Sequence, residues 1–269
     1  MSQPVIEPTL SQITYSCYHS RSREGEQFVP EHVFSYQIAG TLIVNDGLQE
    51  YIFKEGDFRL TKRNKLVKFN KQPPANGDFK AISIYLDQQT LRNFSMEFHY
   101  EAAPHSSEKA FIALKTNKLM TSYIDSLMPY REFQPPTSQQ LMALKLKEAI
   151  LILLQTNPET KDILFDFSEP GKIDLEGFMI QNFHFNVQLK RFAYLTGRSL
   201  ATFKRDFEKI FHMSPSRWLM QKRLEAAHYL IKEKGKAPSE VYLETGFEDL
   251  SHFSFAFKKA YGIAPSRVA

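Results

Sequence analysis

The chain has 269 residues, 42% hydrophobic and 24% charged, with a net charge of +4. This is the mix of a globular protein large enough for two domains, and it excludes a disordered polymer. The one cysteine, Cys17, is read as excluding an intrachain disulfide and any cysteine-based zinc site, and it fits a reducing, cytoplasmic location. The apolar run Ala149–Leu154 is far shorter than the roughly 20 residues of a membrane span. Residues 1–10 hold two prolines and no basic residue, unlike a signal peptide.

In chain order, residues 13–86 read as short strands rich in aromatic and β-branched residues: Ile13–Tyr18, Val33–Ile38, Thr41–Val44, Leu48–Phe53, Leu66–Phe69 and Ala81–Leu86. Asn45-Asp46-Gly47 predicts a hairpin turn, because Asp-Gly tolerates positive φ. Lys54-Glu55-Gly56-Asp57 predicts a second turn. In the last strand Ile82, Ile84 and Leu86 share one face, the period of a half-buried strand. Many short antiparallel strands imply a small barrel or sandwich, with an interior either filled by aromatic side chains or open to an apolar ligand. His19, His32, His99 and His105 form no His-x-His pair and have no carboxylate at ligand spacing, so no metal site is expected.

The middle of the chain reads as helices. Phe111–Met128 carries apolar residues at helical spacing, and Pro129 and Pro135-Pro136 interrupt it. Ser138–Leu154 predicts a second helix, capped by Thr137 or Ser138. Its end is apolar all round, so something must cover every side. The expectation is a contact with a second copy of the chain, with core packing the alternative. Residues 168–171 (Ser-Glu-Pro-Gly) read as a linker.

Beyond that linker the charge changes sign. Residues 172–269 hold sixteen Lys/Arg against ten Asp/Glu, whereas residues 1–171 hold eighteen against twenty. A basic module joined to a slightly acidic one suggests that only the C-terminal part meets a polyanion. There the pattern predicts a short helix over Val187–Leu195, a turn at Gly197, and a helix over Leu200–Phe211 capped by Ser199. The unit then repeats, with a short helix over Pro238–Thr245, a turn at Gly246, and a helix over Leu250–Tyr261 capped by Asp249. Two short helices around a glycine turn make a helix-turn-helix. Pro215–Glu233 predicts a linking helix of roughly 29 Å, close to the ~34 Å between successive major-groove faces of DNA. Ala201, Thr202, Lys204 and Arg205 on the first recognition helix, and Ser251, His252, Ser254, Phe255, Lys258 and Lys259 on the second, are the candidate DNA-contacting residues. Lys and Arg donate to guanine edges and to phosphates. Trp218 reads as core.

These residues carry a resemblance. Gly197…Phe203-Lys-Arg-Asp-Phe207, Ser214-Pro215…Trp218-Leu219, Arg223-Leu-Glu-Ala-Ala227, and above all residues 244–266 (ETGFEDLSHFSFAFKKAYGIAPS) resemble the DNA-binding domain of the AraC/XylS family of bacterial transcription regulators. One departure concerns recognition: many members place Arg or Gln where this chain has Phe255. Phe cannot form a bidentate base contact; either it touches a thymine methyl or this helix binds mainly through phosphates. The first helix is therefore expected to contribute more sequence discrimination.

The resulting expectation is an α+β protein. Residues 1–104 would form a small antiparallel, cupin-like β-barrel for sensing, and residues 105–157 a helical connector for dimerisation. A linker at 158–171 would lead to an all-α DNA-binding domain at 172–269. The resemblance implies double-stranded DNA and RNA polymerase as partners, a homodimer through the N-terminal and connector region, an effector that is a small molecule or a protein, and no cofactor, metal or membrane. It also implies an activator in the bacterial cytoplasm. The competing expectation is a small-molecule-binding or enzymatic barrel with an accessory helical domain. No Ser/His/Asp, paired-carboxylate or glycine-rich phosphate motif supports catalysis.

Overall fold

A computed structural model of the protein describes residues 12–19, 27–103, 109–131 and 139–268. The expected cap at Thr137 or Ser138, the break at Pro135-Pro136, and His105 lie outside these residues. Nine strands come first: β1 (Ile13–Tyr18), β2 (Gln27–Val29), β3 (His32–Ala39), β4 (Thr41–Asn45), β5 (Glu50–Phe53), β6 (Phe58–Thr61), β7 (Lys65–Gln72), β8 (Phe79–Leu86) and, after a helix, β9 (Phe111–Ala113).

The strands do not close into a barrel, which corrects the cupin-like expectation. They form two open antiparallel sheets, ordered β1-β8-β3-β6-β9 and β2-β7-β4-β5. Strand alternation could not distinguish these outcomes, since barrels and sandwiches share it and closure depends on edge pairing. Among the described connections the chain crosses between sheets at β2–β3, β3–β4, β5–β6, β6–β7 and β7–β8. The β4–β5 hairpin forms at the expected place: Asp46 Oδ1 accepts from the backbone N–H groups of Leu48 (3.0 Å) and Gln49 (2.9 Å). Between the sheets lies a core of Val33, Leu42, Val44, Phe53, Val67, Phe79 and Phe111. It also encloses Arg59, fully buried, whose guanidinium lies 5.1 Å from the centre of the Phe53 ring. Burial draws its pKa down to about 10.

The other face of the five-stranded sheet, with Ile82, Ile84 and Leu86 as the alternation predicts, is covered by helices α1 (Gln88–Phe98), α2 (Lys118–Leu127), α3 (Gln139–Thr156) and α4 (Lys161–Leu164). Two differences from the sequence reading stand out. Phe111–Ala113 is a strand on β6, not the start of a helix; α2 begins only after Asn117, whose side chain accepts from Met120 N–H. The apolar run Ala149–Leu154 is covered by the chain's own core. Ala149, Ile150, Ile152, Leu153 and Leu154 are buried there, and of the run only Leu151 stays exposed. Core packing therefore replaces the dimer contact as the reason for that run.

The C-terminal part is all helical: α5 (Leu175–Asn182), α6 (Leu189–Leu195), α7 (Leu200–Phe211), α8 (Pro215–Lys232), α9 (Pro238–Glu244) and α10 (Leu250–Tyr261). The sequence reading missed α5 although its signals are present, with Asp174 accepting from Glu176 and Gly177 N–H, and Leu175 and Met179 buried. Among the described residues no helix is long and apolar enough to cross a membrane.

Candidate nucleic-acid interface

The two helix-turn-helix units, α6–α7 and α9–α10, have matching interiors. In the first, the Thr196 hydroxyl donates back to Phe192 O at 2.9 Å; in the second, the Thr245 hydroxyl donates to Val241 O at the same distance. Both threonines are buried. Each is followed by a glycine at positive φ, Gly197 (64°) and Gly246 (93°), where a side chain would be strained. Each recognition helix is then capped. Ser199 Oγ accepts from Thr202 N–H (3.2 Å) and Asp249 Oδ1 from His252 N–H (2.7 Å). Phe203 and Phe207 anchor α7 and Phe253 and Phe257 anchor α10, all fully buried, with ring centres 5.6 Å apart in both pairs.

Those anchors set which side chains face outward. On α7 they are Ala201, Lys204 and Arg205, with Glu208 and Lys209 beyond. On α10 they are Ser251, His252, Phe255, Lys258 and Lys259. Thr202 and Ser254 are half-buried beside their anchors. Thr202 Oγ1 also lies 3.0 Å from the capping Ser199 Oγ. Superposing the phenylalanine anchors makes Arg205 and Phe255 equivalent. Arg205 is paired with Asp206 at 3.3 Å, and Asp206 also binds Arg198 at 3.2 Å. Its hydrogen bond from Arg198 and then that from Arg205 hold the Asp206 carboxyl below the ordinary range. Phe255 is 70% exposed.

Helix α8 joins the units as one rod. Its first half, Trp218 and Leu219, belongs to the core of the first unit, and its second half, Leu224, Ala227 and Ile231, to that of the second. Its 18 residues span roughly 27 Å. Midway along it Arg223 donates to Phe183 O (2.9 Å) and Phe185 O (2.8 Å), satisfying carbonyls of the α5–α6 connection. A Cβ on Gly246 would lie 2.6 Å from His184 O, so the second unit's turn packs directly on that connection. His184 is largely buried there. Burial first, then the charges of Lys68 and Arg223, depress its pKa to about 3. Of these positioning residues, Arg223 entered the sequence reading only as part of the family resemblance, and the roles of Arg198 and His184 were not read, because their partners are not set by a local pattern.

The N-terminal sandwich reaches the same place. The Gly47 turn lies against Phe185 and His184. Lys68 on β7 donates to Leu243 O (3.2 Å) and Glu244 O (2.9 Å) at the end of α9. Leu66 joins the core of the first unit, and Phe28 packs edge-on to Tyr194 with Arg191 over its ring. Arg63 donates to Asp166 O and Ser168 O, fixing the segment that leads into α5.

Two recognition helices with different outward residues but one interior, set on a shared rod, define a tandem helix-turn-helix DNA-binding protein. Residues 192–269 match a helix-turn-helix domain family, and residues 32–164 match the family described as the ExsA N-terminal regulatory domain. The chain is 23% identical over 236 residues to the HTH-type transcriptional regulator ExsA of Pseudomonas aeruginosa, covering 86% of this chain and 83% of that one. It is 24% identical over 256 residues to the thermoregulatory protein LcrF of Yersinia pestis, covering 91% and 89%. It is 24% identical over 165 residues to the virulence regulon transcriptional activator VirF of Yersinia enterocolitica, covering 61% and 60%. The chain belongs to the AraC/XylS family of transcription regulators, a sequence-specific DNA-binding and non-enzymatic family. Its members often dimerise through the N-terminal domain.

Proposed function

We propose that this protein activates transcription by laying α7 and α10 in successive major grooves on one side of a duplex. The observation that carries the reading is the pair of equivalent recognition helices held by one rod. In this reading Arg205 and Lys204 contact bases, Ala201 and Thr202 line the groove, and Ser251, His252, Ser254, Lys258 and Lys259 contact mainly phosphates. Phe255 meets a thymine methyl. Residues 172–269 bind DNA, 168–171 link, and the part through α4 regulates and dimerises, since Ile163, Leu164 and Phe165 pack in the N-terminal core.

The dimer surface of this reading is the outer side of α3, where Leu141, Leu144 and Leu151 are 46%, 61% and 42% exposed. RNA polymerase is the partner that an activator bound upstream of a promoter would recruit. An effector, small molecule or protein, would act by changing how the N-terminal sandwich holds the residue 183–186 connection. The testing experiment is selection of bound duplexes from a random pool with the full chain, followed by salt titration of the winning site. Two conserved blocks about one helical turn apart are expected, with a steep fall of affinity with salt. Recovery of no preferred sequence would overturn the reading.

A further inference from the structure

We propose that Cys17, His19 and Asp78 form a binding site for a divalent transition-metal ion, with zinc the best-fitting species. Sequence spacing hid this cluster, because Asp78 is 59 residues from His19. The β1–β8 ladder brings them together: Cys17 pairs with Lys80 and Tyr18 with Phe79, so the next position sets His19 opposite Asp78. Side chains two apart on a strand share a face, and so do direct cross-strand partners. All three donors therefore project to one side, at the end of the sheet face whose other end is buried under the helices.

The distances fit a mononuclear site. One donor atom from each residue lies within 4.8 Å of the others. His19 Nδ1 is 2.6 Å from Asp78 Oδ1, and Cys17 Sγ is 3.8 Å from Asp78 Oδ2. Tetrahedral zinc sets nitrogen–oxygen and sulfur–oxygen separations at roughly 3.4 Å and 3.6 Å about a single carboxylate oxygen, so the Asp78 carboxylate, now split between the two partners, has to turn one oxygen towards both. The His–Asp hydrogen bond has to open by under an ångström, which exposed side chains such as His19 can do by rotation. A thiolate, an imidazole and a carboxylate form the mixed sulfur, nitrogen and oxygen set that zinc accepts and that magnesium and calcium do not. One cysteine suffices, and water fills the fourth position. An exposed ion pair by itself contributes little to stability, so the bare His19–Asp78 contact does little for the fold. A bound ion would instead clip β1, an edge strand, to its neighbour. Lys80, opposite Cys17 on the same face, sets a like charge near an incoming cation.

The test uses the untagged full chain, stripped of metal with a chelator and titrated with Zn2+ by calorimetry and with Co2+ by absorption. One equivalent is expected to bind, the cobalt form showing thiolate charge transfer, and excess Zn2+ is expected to raise the melting temperature. Cys17→Ser should abolish the charge-transfer band and weaken binding at least tenfold. His19→Ala and Asp78→Asn should each weaken it comparably, and Lys80→Ala should tighten it. All four positions lie at the sheet surface, and circular dichroism confirms folding of each variant. Absence of stoichiometric binding, a cobalt spectrum without thiolate character, or unchanged affinity in the Cys17→Ser/His19→Ala double variant would each overturn the proposal.

Discussion

The two helix-turn-helix units differ where they face outward and agree where they face inward. Threonine back-bond, glycine turn, capping side chain and paired phenylalanines recur in both, and the ring spacing is the same. Outward, the first offers Lys204 and Arg205, and the equivalent positions of the second are Ser254 and Phe255. The repeat is therefore a repeat of packing, onto which two different reading surfaces are placed. Specificity can change in one unit without disturbing the geometry that the other depends on.

That separation can be broken from the inside. Phe253→Ala removes a fully buried ring and should cost roughly 3–5 kcal/mol. Because α10 packs mainly on α8 and α9, the loss should fall on the second unit, while limited proteolysis still finds residues 32–164 intact. Gly246→Ala should cost about 1–2 kcal/mol from positive φ alone, and more from the contact with His184 O, read as a fall in denaturation midpoint.

From the outside the expected effects are smaller and of different kinds. Arg205→Ala should weaken binding to the selected site by about 1–3 kcal/mol and relax preference at one position. An equal loss on all sequences would make Arg205 a phosphate contact instead. Phe255→Ala should weaken binding only where a thymine faces α10, by under about 1 kcal/mol, and Phe255→Arg should shift the preference there towards guanine. Titration curves on duplexes differing at that base check both.

His184 is held neutral, with a folded pKa of about 3 against an ordinary value of 6.5. Its contribution to stability is present in full above about pH 6.5 and is lost as pH falls towards 3. The slope is at most about 1.4 kcal/mol per pH unit. His184→Gln should flatten the fall in stability between pH 6.5 and 5, measured by denaturant unfolding. An unchanged slope would assign the acid sensitivity to other groups.

Much of this was legible in the sequence. The recognition helices announce themselves through glycine, cap and phenylalanine spacing, which are local. The strand alternation of Ile82, Ile84 and Leu86 is local too. Sheet closure was not legible, because it depends on which edges pair. Helix α1 was also missed: its two buried residues, Leu91 and Phe94, lie among polar neighbours. Phe111–Ala113 joined a helical pattern because three residues cannot show a period. The pairing of His19 with Asp78 needed the ladder register, the role of Arg223 needed backbone partners about forty residues away, and that of His184 needed the burial and the charges of Lys68 and Arg223 around it.

The connection at residues 183–186 is met from one side by the Gly47 hairpin of the sandwich and from another by the Gly246 turn of the second unit. Two glycines from opposite ends of the chain thus leave room for the same four residues, and Arg223 ties their carbonyls to the rod. This makes the connection a common bearing. A displacement of the sandwich would be expected to reach the setting of the second unit, since both pack on the same short peptide. Regulation from the N-terminal half would then be felt as a change in the spacing of DNA half-sites that the protein tolerates, rather than as a simple rise or fall in affinity.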